Sequence, residues 1–458
     1  MRLGQDALAH GDMRKLLWSF CLPSLAANLV TSVYNIVDQI FIGNVLGIVG
    51  NAATNVVFPV VTLITALSLM CGVGSSAVMN LLLGRGEVEK ARRSVACGFG
   101  LMVLCGALVS IAMLGWTKPL LYLFGCTDKI LPYATPYARI TALGFVFAMV
   151  GASGTFLVRA DGSPNYALLC SFVGSVLNIF LDALFIYVFH WGIAGAAWAT
   201  LASQGVSAAM VVRYLLRFRT FKLIRSDFRP DAALAGRICA LGTGPMCNFL
   251  TQAVVQIFLN SALRAYGVHS VYGSEVTLAA AGVANKVNTI VVAVVTGLTN
   301  GMQPIVSYNF GRKNYRRVME AGRLVVETVV AASCCVFFCY QFFPRQITAL
   351  FGTGSDLYFE FAAKFFRIFL MLICVNGLQS SIGGFFSAQG KPKYSIFISV
   401  TRQIIFLPPL LVVLPHFFGL AGVLWAGPIA DFAMALIALL LLRREYKLLG
   451  RLDAGLRE

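Results

Sequence analysis

Asp38 and Asp182 each sit inside a long apolar stretch, where an ionised side chain is expensive. Near the centre of a membrane span an aspartate costs about 2.5–3.5 kcal/mol on insertion scales, so its presence calls for a reason. Asp38 closes the run Val33-Tyr-Asn-Ile-Val-Asp38, and Asp182 comes four residues after Asn178. On a helix that spacing stacks Asn178 and Asp182 on one face. Two readings compete: an acid that braces two helices, or a carboxylate that takes up a proton or a cation in an internal cavity. Burial beside a second carboxylate favours the neutral form, which is what a proton carrier requires.

Other polar residues inside apolar segments are weaker signals. Lys286 could be a cation lining a cavity or half of a buried pair. Asp431 could pair with Arg402 or with Lys286. Glu327, Lys364 and Arg367 lie nearer segment ends, where long side chains reach toward water. Tyr34, Asn35, Gln204, Gln256, Lys286 and Gln303 form the candidate substrate cavity, although hydrogen bonds between helices would explain the amides equally well. Pro23, fifteen residues before Asp38, removes a backbone donor and can kink its helix, which makes it a candidate gating residue.

These residues need elements to hold them, and the composition says which. The chain has 458 residues, 58% of them hydrophobic and only 12% charged, with a mean hydropathy of +0.80. A soluble protein carries about 25% charged residues, so a soluble enzyme, disorder and coiled coil are all excluded. A helical span needs roughly 20 apolar residues. Segments near 16–40, 52–82, 94–116, 131–158, 164–189 and 193–216, then 238–263, 276–309, 322–343, 358–387, 394–415 and 419–442, supply twelve. The first of them, preceded by Arg14 and Lys15 and lacking a small-residue cleavage site, reads as a retained helix.

The basic residues sort by connection. The two ends and the even-numbered connections hold 27 of the 36 Lys and Arg, while the odd connections 43–51 and 190–192 hold none. The positive-inside rule then places both termini in the cytoplasm. The net charge of +17 thus reports orientation and contact with anionic lipid rather than nucleic acid.

The chain also repeats itself. At an offset of 227–228, Gly84-Arg85 meets Gly311-Arg312, and Ala160-Asp-Gly-Ser-Pro-Asn-Tyr166 meets Ala388-Gln-Gly-Lys-Pro-Lys-Tyr394. Gly192-Ile-Ala-Gly-Ala-Ala-Trp198 likewise meets Gly419-Leu-Ala-Gly-Val-Leu-Trp425. The expected architecture is all-α and polytopic: twelve transmembrane helices in two pseudo-symmetric six-helix lobes around a central cavity. The boundaries are 1–216 for the N-lobe, 217–237 for a cytoplasmic linker and 238–458 for the C-lobe. Parallel repeats of this kind belong to transporters. Asp182 meets Leu410 and Asp38 aligns with about Asn260, so the repeat does not demand these acids, and the ion chemistry falls in the first half.

No other chemistry competes. Gly390-Lys391-Pro392 lacks the preceding glycine of a phosphate loop, and no HExxH or GxSxG occurs. His190 and His416 are isolated, and the twelve cysteines mostly lie in apolar runs without metal-ligand spacing. No cofactor is expected beyond a coupling ion, and an enzyme is not. An ion gradient or the substrate's own gradient must drive transport.

Three motifs resemble the multidrug and toxic compound extrusion (MATE) family. They are Pro23…Val37-Asp-Gln-Ile-Phe-Ile-Gly43, Gly84-Arg85-Gly86, and Arg159-Ala-Asp-Gly-Ser-Pro164 leading to Asn178 and Asp182. The resemblance implies a V-shaped pair of lobes and export of organic, cationic and partly aromatic compounds in exchange for H⁺ or Na⁺. It implies ion-coupling roles for Asp38, Asn178, Asp182 and the sixth-span hydroxyl Thr200, with Na⁺ as the alternative occupant of those four residues. It also implies bending at Pro23. One branch of the family uses acids on spans seven and ten; here span seven offers Gln252 and Gln256, and residues 370–387 contain no acid. The expected setting is the cytoplasmic (inner) membrane, as a monomer in the bilayer. The rival reading is a flippase for lipid-linked saccharides, which would need a strongly cationic cavity.

Overall fold

Long apolar runs without alternating polarity satisfy their backbone groups in lipid only as helices. The computed structural model describes residues 5–350 and 355–455, apart from the side chains of residues 5, 39, 40, 43–49 and 51, and contains no strand among them. The first nine spans are α1 (Met13–Asp38), α2 (Ala52–Gly84), α3 (Val88–Gly115), α4 (Leu131–Ala160), α5 (Pro164–Val188), α6 (Gly192–Leu215), α7 (Ala232–Gly267), α8 (Gly273–Gly311) and α9 (Tyr315–Phe342). The tenth, α10, is a pair, Asp356–Phe369 and Ile373–Ala388, bent by 49°.

The remaining apolar helix, Pro392–Gly455, has 64 residues. At 1.5 Å per residue it would measure about 96 Å, some three times the hydrocarbon thickness. It does not run straight: Gly419 has φ 57° and ψ −139°, a backbone state open to glycine, and breaks it into α11 (392–418) and α12 (420–455). The described residues thus form twelve spans.

Several helices outrun the apolar segments because their polar first turns continue beyond the bilayer. Asp12 and Asp231 cap α1 and α7, accepting from the Lys15 and Leu234 amides at 2.9 and 3.0 Å. The repeat is visible in the backbone. Gly162 and Gly390 (φ 78° and 79°) turn the chain after α4 and α10, and Gly192 and Gly419 (φ 56° and 57°) occupy matching positions before α6 and α12.

The run Met13–Gly84, which contains α1 and α2, packs against α3 to α6, and α7 to α12 pack on one another. The two sets meet along glycine-lined seams. Gly297 and Gly301 of α8 lie against Leu25 and Cys21 of α1; Gly74 of α2 abuts the Ile238 carbonyl of α7, and Gly242 of α7 abuts the Met70 carbonyl. Gly84 and Gly311 close the ends of α2 and α8. Small residues let helix backbones approach this closely in membranes. Asn28 adds a hydrogen bond from Nδ2 to Thr296 Oγ1 (3.1 Å). All these contacts lie in the half nearer the chain termini.

Candidate ion and substrate site in the first lobe

Four helices converge on the first-lobe acids. Tyr34 and Asp38 are one turn apart on α1, Asn178 and Asp182 one turn apart on α5, and Thr200 and Gln204 one turn apart on α6. Asp182 is fully buried and Asn178 nearly so, whereas Asp38 is half-buried. The Asp38 and Asp182 carboxyl groups lie within electrostatic reach of one another. Apart from Asp38, no donor among the described residues reaches either oxygen of Asp182. Asn178 donates from Nδ2 to Thr200 Oγ1 (3.4 Å), and its buried carbonyl oxygen has no donor among the described residues.

Sequence reasoning missed Tyr137. This buried α4 residue lies within electrostatic reach of Asp38, Asp182 and Tyr34. Gln204 faces the same helix: a β-carbon on Gly144, two turns beyond Tyr137, would stand 3.2 Å from its Oε1. Directly after Asp182 the helix widens into a π-helical stretch, Ala183–Val188. Such insertions recur at functional sites because they re-aim a side chain and loosen the local ladder.

The donor set is therefore two carboxylates, an amide oxygen and a hydroxyl. Oxygen ligands of this kind suit a proton or a hard cation such as Na⁺. Among the described residues, no cluster of three His, Cys, Asp or Glu suits a tightly held metal.

The remaining candidates spread out. Pro23 is buried within the continuous helix α1, two residues from the Cys21–Gly301 seam. Asn35 and Lys286 are exposed, and Gln256 donates to Asn260 Oδ1 on its own helix (2.9 Å). Gln303 lies in the buried run of α8 at 4% exposure, so it faces packed helix rather than open cavity in this conformation. Asp431 pairs with Arg402, not with Lys286. Arg402 belongs to a second π-helical stretch, Thr401–Phe406. Glu327 pairs with Arg323, and Lys364 with Glu360.

The MatE family model matches residues 23–184 and 248–412, which together cover most of the chain and both copies of the repeat. The multidrug export protein MepA of Staphylococcus haemolyticus is 22% identical over 439 residues, 96% of this chain and 94% of that protein. MepA of Staphylococcus aureus strain MSSA476 is 22% identical over 93% of each chain. Among solved structures, a MOP-superfamily transporter from Pyrococcus furiosus superposes with a TM-score of 0.89 at 24% identity, over 97% of this chain and 98% of that one. A structure of MATE in the bent conformation gives 0.90 at 23% identity, over 99% and 100%. These structures share its two-lobed fold across nearly its whole length. With a family model matched in both repeats and full-length structural likeness, the chain is a multi-pass membrane protein that belongs to the MatE family of transporters and is not an enzyme.

Proposed function

We infer that this transporter exports small organic cations, aromatic in part, across the cytoplasmic membrane in exchange for H⁺ or Na⁺. The observation that carries this reading is the pair Asp38 and Asp182, the first half-buried and the second fully buried, in one site with Asn178 and Thr200. A proton or Na⁺ and a cationic substrate each favour the conformation in which they neutralise that pair. Competition between them couples the two fluxes, because a ligand shifts a conformational equilibrium only by its differential affinity. The lobes are 1–216 and 238–458, joined by the cytoplasmic linker 217–237, and they rock about the seams to expose the site alternately to each side. Both termini are cytoplasmic, and one chain is the transport unit.

Stoichiometry sets the pumping power. One proton exchanged for one monovalent cation moves no net charge, so one pH unit supplies about 1.4 kcal/mol, roughly a tenfold gradient. A second proton adds about 2.3 kcal/mol per 100 mV. Two carboxyls in one lobe provide for two ions. The flippase reading lacks a comparable observation: Arg402 is committed to Asp431, which leaves Lys286 alone to meet a pyrophosphate.

The test is efflux of a fluorescent organic cation from proteoliposomes under separately imposed proton and sodium gradients. The expected result is movement driven by one of the two. Gradient-independent leakage, or none with either gradient, would overturn the reading.

A further inference from the structure

A cleft of about 280 Å³ opens between the end of α9, the short helix Pro344–Ala349 and the first part of α10. By helix count it lies on the membrane face opposite the chain termini. That face is poor in cations: only nine of the 36 basic residues lie outside the termini and even-numbered connections, yet three of the nine, Arg345, Lys364 and Arg367, line this one cleft.

Their commitments differ. Lys364 Nζ donates to Glu360 Oε1 (2.9 Å) and to Tyr272 OH (2.6 Å). Arg367 donates from Nε to the Gln341 carbonyl (3.0 Å), while the Gln341 amide donates back to the Arg367 carbonyl (3.1 Å). This exchange fixes the stem of Arg367 and leaves both terminal nitrogens for a ligand. Arg345 has no hydrogen bond or ion pair among the described residues and stands within electrostatic reach of Glu360. Three positive charges thus face one carboxylate, a formal excess of two. The rim is apolar: Phe342 is 67% exposed and Phe343 54% exposed. Aromatic side chains at a span end sit at headgroup level.

We propose that this cleft binds the phosphate of a phospholipid headgroup from the leaflet facing away from the termini. Guanidinium forks match phosphate oxygens in pairs, and the phenylalanine rim is suited to the glycerol and first methylenes of the acyl chains. A free phosphate shares the headgroup's charge but would make no use of that rim. The inference is independent of the ion-coupling reading.

The experiment uses the delipidated full chain in detergent, titrated with phosphatidylglycerol and, separately, with inorganic phosphate, and read by native mass spectrometry. Wild type should retain one phosphatidylglycerol more than the Arg345→Ala/Arg367→Ala variant, with affinity at least tenfold tighter. Glu360→Gln, which removes only the opposing charge, should tighten binding. Arg443→Ala/Arg444→Ala, at the other face, should leave this adduct unchanged. Equal occupancy in wild type and the Arg345/Arg367 variant would overturn the proposal. So would displacement of the lipid by inorganic phosphate at equal concentration, which would make the cleft a free-phosphate site.

Discussion

Arg402 on α11 donates from Nε to the Asp431 carboxylate on α12, so the second lobe holds its buried acid against a tethered cation. Asp431 occupies the repeat position of Gln204, and the Gln379 amide donates to its backbone carbonyl (3.1 Å). The first lobe differs: Asp38 and Asp182 are two acids within electrostatic reach of one another. Breaking a buried pair from one side leaves a charge without compensation, at a cost of about 3–5 kcal/mol. Arg402→Gln and Asp431→Asn should therefore each lower the thermal unfolding temperature in detergent. The double change Arg402→Met/Asp431→Leu should recover most of the loss. A double variant as unstable as either single one would show that the pair supplies more than mutual neutralisation.

Asp38→Asn and Asp182→Asn should each reduce gradient-driven efflux at least tenfold. An amide has nearly the shape of the carboxyl but neither takes up a proton nor attracts a cation. Folding should survive, because replacing one of two neighbouring acids by its near-isosteric amide relieves their mutual repulsion. Thermal stability within about 1 kcal/mol of wild type, together with lost coupling, is the expected pattern. Tyr137→Phe separates geometry from charge: it keeps the ring on α4 and removes only the hydroxyl. It should change the ion dependence of efflux by less than either asparagine substitution.

The helices are legible in the sequence, and so are the two acids of the candidate site. Hydropathy locates twelve spans because each must cross lipid. The offset repeat predicts matching turns, and Gly162 with Gly390 shows them sharing one backbone conformation. Asp38 and Asp182 stand out because acids are rare in apolar segments. Tyr137 does not, since an aromatic residue in a span looks like packing until its neighbours are known. The bend in α10 is silent as well: Phe365 and Phe366 read as ordinary apolar residues, yet they lie in the π-helical stretch that precedes the break. The partner of Asp431 was open between two cations because sequence distance does not say which helix faces which.

The glycine seams make the termini-side closure sensitive to single methyl groups. A β-carbon at Gly74 or Gly242 would overlap a backbone carbonyl of the facing helix, and backbone cannot rotate away as a side chain can. Overpacking of this kind costs about 1–3 kcal/mol. That is enough to shift a two-state equilibrium by about 5–150-fold. Gly74→Val and Gly242→Val should therefore populate a conformation opened on the termini side. Spin labels at positions 90 and 320, in a background without other accessible cysteines, should report a longer distance than in the parent. Gly100→Val, at a position with open space around it, is the control and should leave the distance unchanged.

Asp161 ties the start of the linker to the first lobe, and Arg92 of α3 holds its later part through Asp227. Asp161, in the turn after α4, is 5% exposed and accepts from Tyr214 OH (2.8 Å), the Arg219 amide (2.8 Å), the Thr220 amide (3.1 Å) and the Thr220 hydroxyl. Removing that acceptor leaves donors unsatisfied at about 1–3 kcal/mol each, so Asp161→Ala should cost about 3 kcal/mol and free the segment to limited proteolysis. Burial pushes the Asp161 carboxyl above its ordinary value, and the hydrogen bonds offset this only in part. The folded state then binds the proton more tightly than the unfolded state does. Its stabilisation is complete below the unfolded pKa of about 3.9 and is lost as pH rises through the folded value. The gap in unfolding temperature between wild type and Asp161→Asn, which does not titrate, should accordingly narrow as pH is raised from 4 toward 7. A gap that widens with pH would mean that the four donors outweigh burial and that the charged carboxylate is the form that holds the linker.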